Sequence, residues 1–324
     1  MTDHFEDDDD IGMSYMEPLL VDYSLLTSSS AHESANELDK FKSELTSWGC
    51  FQLINHGIAT SFLDELQETS RQFFGLPTEC KTKYAMPKDD NNGYDGKNIT
   101  NSENQQILDW NEGLTLTVFP EDRRRLQYWP DYPSNFKTLV HEYAQKMEPV
   151  CDELFRKVLQ SLNVSKESYD KQYGKNKEMN VRFNFYPASP SSRRGLGAHA
   201  DFSPMTLLLQ DEEGLQILKD GQWFKVPVIS GALFLSIGDP TEIMTNGIFK
   251  SAVHRVVTKT EKARLSIALF WDSDRNGQIG PFDELITSSR PQQYQRVSLQ
   301  HYITKFPEYY RSGERLIEAI RLLN

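Results

Sequence analysis

The sequence predicts a mainly β fold, a sandwich or barrel with helices packed on its outside. Three observations predict it. After about residue 178 the apolar pattern changes from helical spacing to period two, and short strands follow closely on one another. Between two of those strands lies Lys219-Asp220-Gly221, and Asp-Gly is a strong hairpin signal. Amphipathic helices precede and follow this region, and no internal repeat or low-complexity linker separates them from it.

The elements follow in order. Glu6-Asp7-Asp8-Asp9-Asp10 makes residues 1–15 a disordered acidic tail. Residues 16–177 form an N-terminal helical and mixed region packing on the core. Within it, 19–23 reads as a strand. Leu38, Phe41, Leu45 and Trp48 recur at helical spacing and predict a helix over about 33–48, stopped by Gly49. Residues 50–54 read as a strand and Asn55-His56-Gly57 as a turn. Ser61 is expected to cap a helix carrying Phe62, Leu66, Phe73 and Phe74, which ends before Pro77. Residues 86–132 are the least regular, with a strand at 114–118. A long helix is predicted over 134–162, kinked or split by Pro149. The β core occupies 178–290, with strands at 181–186, 205–209, 215–218, 222–226, 232–237, 253–257 and 264–270. The segment 291–324 returns to helix.

Composition narrows the partners. The chain has 324 residues, 38% hydrophobic and 25% charged, an ordinary soluble globular balance. Its formal net charge of −12 disfavours a nucleic-acid backbone or an anionic membrane. No apolar run is long enough to span a bilayer and no secretory signal opens the chain. Cys50, Cys80 and Cys151 are sparse and irregularly spaced, as reduced thiols are. A monomeric, cytoplasmic protein acting on a small molecule is expected.

The chemistry gathers at Gly197-Ala198-His199-Ala200-Asp201-Phe202. In extended backbone, residues two apart share a face, so His199 and Asp201 offer an imidazole and a carboxylate to one point. His254, in another β-branched segment, supplies a third ligand. Two histidines and one carboxylate leave one side of a metal open, the ligand set of non-haem Fe(II) oxygenases. The other five histidines, His4, His32, His56, His141 and His301, read as structural. A second constellation lies at Arg264-Leu265-Ser266, where the strand period puts Arg264 and Ser266 on one face. Leu265, Ile267 and the apolar run after them make this a central strand, so Arg264 points inward and needs an anion. A carboxylate taking a two-pronged guanidinium bond suits it, and Asn184 and Tyr186 share a face of another strand within reach of the same ligand. The sequence therefore supplies a metal site and a place for a small dicarboxylate.

From about residue 17 to 310 the chain resembles the plant-type Fe(II)/2-oxoglutarate-dependent dioxygenases. The motifs that carry the resemblance begin with Trp48-Gly49-Cys50-Phe51, Asn55-His56-Gly57, Phe73-Phe74-Gly75-Leu76-Pro77 and Lys83-Tyr84. They continue with Asn184-Phe185-Tyr186-Pro187, His199-Ala200-Asp201, Gly214-Leu215-Gln216 and Ile237-Gly238-Asp239. Thr245-Asn246-Gly247, the segment 251–256 and Arg264-Leu265-Ser266 complete the set. The resemblance implies a double-stranded β-helix, or jelly roll, wrapped by N- and C-terminal helices. It implies His199, Asp201 and His254 as iron ligands. Arg264 and Ser266 would bind the distal carboxylate of 2-oxoglutarate, with Tyr186 beside them and Asn184 toward the iron end. It keeps His56 with the fold. The cofactors implied are Fe(II), 2-oxoglutarate, O₂ and ascorbate as reductant. The reaction implied turns 2-oxoglutarate into succinate and CO₂ while a substrate C–H bond is oxidised, by hydroxylation, demethylation, desaturation or ring closure.

Departures and alternatives accompany this reading. The chain begins close to its first strand, so one side of the pocket is expected to be more open. Pro240 stands where relatives carry another residue and would remove a backbone donor. Substrate contacts are expected from Phe202, Phe270, Trp271, Tyr302 and Phe306, with loops at 91–94 and 108–110 as covers. Such a lining suits a small, largely hydrophobic metabolite of plant specialised metabolism. The alternatives are an iron oxidase of this fold that does not use 2-oxoglutarate, and a non-catalytic binding module.

Overall fold

A computed structural model describes residues 12–88, 90–96, 111–173, 176–188, 193–258, 261–272 and 277–322. The chain opens with β1 (Leu20–Asp22), α1 (Tyr23–Leu26), α2 (Ala31–Ser47), β2 (Cys50–Ile54), α3 (Thr60–Phe74) and α4 (Thr78–Lys81). Next come β3 (Gly93–Asp95), β4 (Glu112–Phe119), α5 (Phe136–Ser161) and α6 (Lys166–Tyr173). The predicted β region holds β5 (Glu178–Tyr186), β6 (Arg193–His199), β7 (Met205–Gln210), β8 (Leu215–Lys219), β9 (Gln222–Lys225) and β10 (Leu233–Ile237). It continues through α7 (Asp239–Met244), β11 (His254–Thr258), β12 (Arg264–Asp272) and β13 (Gln278–Ile279). The end is β14 (Val297–Ser298), α8 (Leu299–Ser312) and α9 (Leu316–Ala319).

Two sheets make the double-stranded β-helix. The larger runs β1-β2-β10-β7-β12-β5-β4-β3 and the smaller runs β6-β11-β8-β9. The larger sheet is covered on both faces. Its outer face packs Phe51, Leu53, Phe183, Leu265 and Leu269 against helical residues such as Phe41, Tyr143 and Leu154. Its inner face puts Cys50, Tyr186 and Phe234 against Leu215, Ile217 and Val256 of the smaller sheet. This two-sided burial explains why β2, β7 and β12 read as apolar runs and not as clean alternations. Asp220 and Gly221 take positive φ (51° and 79°) between β8 and β9, the hairpin that Asp-Gly encodes.

Several expectations change. The strands expected at 19–23, 50–54 and 114–118 join the larger sheet, where β1 to β4 extend both edges. Pairing between distant segments made these strands, and local pattern could not assign them to a sheet. Ser61 does not cap α3. The cap position is Ala59, with no side-chain bond, and Ser61 lies within the first turn. Pro149 does not split the long helix, which runs unbroken through it. Met16 N–H donates to the Lys225 carbonyl and Lys225 N–H to that of Ser14, so residues 14–16 lie along β9 and not in a free tail. The acidic run at 6–10, and the cover expected at 108–110, lie outside the described residues. No helix among the described residues is long and apolar enough to cross a membrane. All three cysteines are free, Cys50 and Cys151 buried.

Gly49 joins α2 to β2 at φ +70°, and a Cβ there would collide with the Lys250 carbonyl oxygen. Gly57 has φ +82° but open space around it. Left-handed strain alone costs about 1–2 kcal/mol. Gly49→Ala should therefore lose clearly more stability in urea melts than Gly57→Ala, about 2 kcal/mol or more in all. Equal losses would mean that the backbone at 49 gives way freely.

Candidate metal and cosubstrate site

The site lies between the sheets. β6 ends on His199, β11 begins on His254, and the two residues are cross-strand partners. Their ring centroids are 4.3 Å apart. Asp201 lies just past β6, in the loop leading to β7. Its Oδ1 stands 3.6 Å from His199 Nε2 and 3.8 Å from His254 Nε2. Its Oδ2 accepts a hydrogen bond of 2.6 Å from Thr206 Oγ1 on β7, across the core.

The ring orientations follow from the backbone. His199 Nδ1 lies 2.8 Å from the Gly197 carbonyl, and His254 Nδ1 lies 2.9 Å from the Ala252 carbonyl. A carbonyl only accepts, so both Nδ1 atoms carry the hydrogen and both Nε2 lone pairs face Asp201. Burial, and then the neighbouring His254, push the His199 imidazole down to about 4. It stays neutral near pH 7, as a metal ligand must. The three ligand atoms lie within 4.8 Å of one another, a group that could hold a metal ion. Two imidazoles and a carboxylate fit Fe(II).

A buried polar layer supports the iron-side loop. Asp239 N–H donates to the Asp201 carbonyl (2.9 Å), and Thr241 Oγ1 to the Pro204 carbonyl (2.7 Å). The Asp239 carboxylate accepts from Ser251 Oγ, Tyr302 OH and Arg315 Nη2. Glu242 accepts from Ser251 N–H and Tyr294 OH. Pro240 proves harmless. It occupies the first turn of α7, where the missing N–H has no helical partner to lose.

The second constellation faces the first across the core. Arg264 is 2% exposed, and it donates to the Glu212 carbonyl (3.0 Å), Ser266 Oγ (3.1 Å) and Gln210 Oε1 (3.0 Å). Its guanidinium lies over the Tyr186 ring at 5.1 Å. Burial lowers its pKa, so an incoming anion would be well received. Ser266 pairs with Asn184, whose Oδ1 accepts from both Arg182 Nε and Asn111 Nδ2. The carbonyl end of that amide is thereby occupied, and its NH₂ is the end left to meet a ligand.

The predicted substrate residues divide. Phe202 stacks on Phe270 (6.3 Å, 16°) and meets Phe306 edge-on (5.1 Å), forming an aromatic wall beside the triad. Trp271 does not join it. The strand period turns it to the outer face of β12, where it stacks on Phe155 and donates to Asp152. Tyr302 is also elsewhere, buried with its hydroxyl on Asp239. Sequence reasoning missed Tyr310. It lies one helical turn after Phe306, meets the His199 ring edge-on at 5.6 Å and accepts from Gly197 N–H. The i, i+4 relation to Phe306 was the signal that could have found it. His56 bonds the Gly231 carbonyl and serves the fold.

An open-sided His-Asp-His group inside a double-stranded β-helix, opposite a buried arginine, defines the class: a non-haem iron oxygenase. Residues 177–273 match the 2OG-Fe(II) oxygenase superfamily, and residues 20–136 match the non-haem dioxygenase in morphine synthesis N-terminal family. Protein SRG1 of Arabidopsis thaliana is 33% identical over 99% of this chain and 89% of its own length. Codeine O-demethylase of Papaver somniferum is 33% identical over 88% of this chain and 80% of its own. The crystal structure of JOX2 in complex with 2OG, Fe and JA superposes with a TM-score of 0.83 at 25% identity, covering 96% of this chain and 91% of that one. The chain belongs to the 2OG-Fe(II) oxygenase superfamily and is an Fe(II)- and 2-oxoglutarate-dependent oxygenase.

The His199 shift makes a prediction for the metal-free protein. An unfolded histidine takes up its proton near pH 6.5, whereas folded His199 resists until about 4. The unfolded state therefore binds more protons in that window, and stability should fall as pH drops from about 6.5 toward 4. Urea melts across this range should show the loss, and His199→Gln should flatten it. An unchanged pH slope in that variant would assign the loss to other groups.

Proposed function

We propose that His199, Asp201 and His254 hold Fe(II), and that Arg264 and Ser266 grip the distal carboxylate of 2-oxoglutarate. Tyr186 and Asn184 complete the cosubstrate seat. One observation carries this assignment: the two residue groups occupy facing sheets of a single core, tied together where Thr206 bonds Asp201. Bound Fe(II) supplies the O₂ activation that couples decarboxylation of 2-oxoglutarate to oxidation of a substrate C–H bond.

The protein's own contribution is orientation. The Gly197 and Ala252 carbonyls aim the imidazoles, and Thr206 fixes one carboxylate oxygen so that the other faces the ligand point. Arg264 sets the far end of the cosubstrate through its planar fork, while Gln210, Ser266 and the Glu212 carbonyl keep that fork in one place. Phe202, Phe270 and Phe306 seat an apolar substrate and keep water from the reacting centre. The prime substrate is a small, largely hydrophobic plant specialised metabolite. Codeine O-demethylase, whose name gives it an O-demethylation, offers one outcome of this type. Net charge −12 and free cysteines support action in the cytoplasm on a small molecule and not on nucleic acid or a membrane, by a monomer.

His199→Ala and Asp201→Ala should abolish Fe(II)-dependent formation of succinate from 2-oxoglutarate while circular dichroism stays unchanged. Full activity in metal-free Asp201→Ala would remove the iron assignment. Arg264→Ala leaves a carboxylate without its partner, and truncating such pairs costs about 2–5 kcal/mol. The concentration of 2-oxoglutarate for half-maximal rate should rise roughly 30-fold or more. An unaltered requirement for 2-oxoglutarate takes Arg264 out of its role.

A further inference from the structure

We propose that Asp211 and Arg71 are positioning residues for 2-oxoglutarate. From the outer face of the larger sheet they hold the turn whose inner side sets the Arg264 guanidinium. This rests on the assignment of Arg264 made above, and it adds two residues on the far side of the sheet from the cosubstrate.

β7 ends at Gln210, the cross-strand partner of Ser266. Strand alternation turns Gln210 inward, with Ser266 and Arg264, and Asp211 outward, with Leu265. Asp211 N–H donates to the Leu265 carbonyl (3.3 Å). A regular antiparallel pair would return that bond from Leu265 N–H to the Asp211 carbonyl. Here Leu265 N–H donates to Asp211 Oδ1 instead (2.9 Å). The side chain thereby ends the ladder and lets the chain turn in over Arg264. On one side of Asp211, the Glu212 carbonyl accepts from Arg264 Nε (3.0 Å). On the other, Gln210 Oε1 accepts from Nη2 (3.0 Å). Two nitrogens of one planar group, held by one three-residue segment, fix the plane of the fork. The turn has no slack, because Gly214 brings it back against the same side chain. A Cβ there would stand 2.7 Å from the Val257 carbonyl oxygen and 3.1 Å from Arg264 Cδ.

Arg71 answers the charge. A carboxylate whose side chain is only 14% exposed needs more than one backbone N–H. Arg71 Nη2 donates to Oδ2, the oxygen that Leu265 leaves. Each oxygen of Asp211 thus has its own anchor, one on β12 and one on α3. The helix is delivered to this spot by Phe74, one turn after Arg71. Phe74 stacks on Phe185 (5.3 Å, 9°), the cross-strand partner of Leu265. The turn carries a second ion pair, between Glu212 and Lys262, of a different kind. The Lys262 side chain is 66% exposed, and surface pairs of that sort contribute little. Asp211, tied to strand and helix, is what holds the turn over Arg264.

Calorimetric binding to the full chain, with Mn(II) in place of Fe(II), separates positioning from charge and from general loosening. The probes are 2-oxoglutarate and 2-oxopentanoate, which has the same carbon chain with a methyl group for the distal carboxylate. Removing a carboxylate near an anion seat would by charge alone strengthen binding. Lost positioning weakens it. Asp211→Ala should weaken 2-oxoglutarate binding by about 10-fold, with binding of 2-oxopentanoate and of Mn(II) unchanged. Arg71→Gln should weaken it in the same sense. Lys262→Gln, which takes the same charge from the exposed pair, should not. Should Asp211→Ala fail to fold, Asp211→Asn keeps an acceptor for Leu265 and loses the charge tie to Arg71. It should weaken 2-oxoglutarate binding by about 3-fold. Unchanged or tighter binding in the Asp211 and Arg71 variants overturns the proposal. So does an equal loss for 2-oxopentanoate or in Lys262→Gln. The wild-type protein is measured first. Equal affinity for the two probes would sink the assignment of Arg264, whereas a preference for 2-oxoglutarate that survives in the variants sinks only the roles of Asp211 and Arg71.

Discussion

The hydrogen bond from Thr206 to Asp201 joins the two sheets at the point where the chemistry occurs. Asp201 belongs to the loop leaving the smaller sheet, and Thr206 to a central strand of the larger. A carboxylate at 6% exposure needs its oxygens satisfied. Thr206 takes one oxygen and thereby turns the other toward His199 and His254. Every other feature of the site is arranged around this constraint. The histidines are cross-strand partners because β6 and β11 pair in one register, and slipping either strand by one residue would turn its ring out of the core.

The same rule of burying charge only with a partner organises the layer beneath. Asp239 and Glu242 are nearly inaccessible, and Ser251, Tyr294, Tyr302 and Arg315 answer them. These partners come from the segment before β11 and from the C-terminal region. The layer therefore ties α8, which carries Phe306 and Tyr310, to the loop that carries Asp201. Removing one partner of such a buried set costs about 3–5 kcal/mol, because the other charge is left unanswered. The aromatic wall beside the triad and the loop that carries Asp201 are held by one network. Arg264 stands apart from it, held by the Glu212 carbonyl, Ser266 and Gln210.

Much of the architecture was legible in the sequence. Residues 50–54 and the hairpin around Asp220-Gly221 are local patterns, and the structure returns them almost unchanged. So are the helices around Phe41 and Tyr143. β6 was not legible as a strand, since Arg193–His199 holds two glycines and little apolar content. The membership of β1 to β4 in the larger sheet was hidden as well, because pairing partners lie far away in the chain. Trp271 and Tyr302 misled for one reason. Aromatic character near a site says nothing about which face of a strand or helix bears it.

What the sequence by itself determined was the donor set: His199, Asp201 and His254, the strand face that Arg264 and Ser266 share, and a β core to hold them. Residue type and period-two spacing suffice for that, because ligand chemistry and strand alternation are local properties. Only the tertiary structure decided which groups meet. It paired His199 with His254, set Thr206 against Asp201, sent Trp271 to the outer face and brought Tyr310 to the triad. Contacts between strands and helices distant in sequence depend on register and packing, which no local pattern encodes.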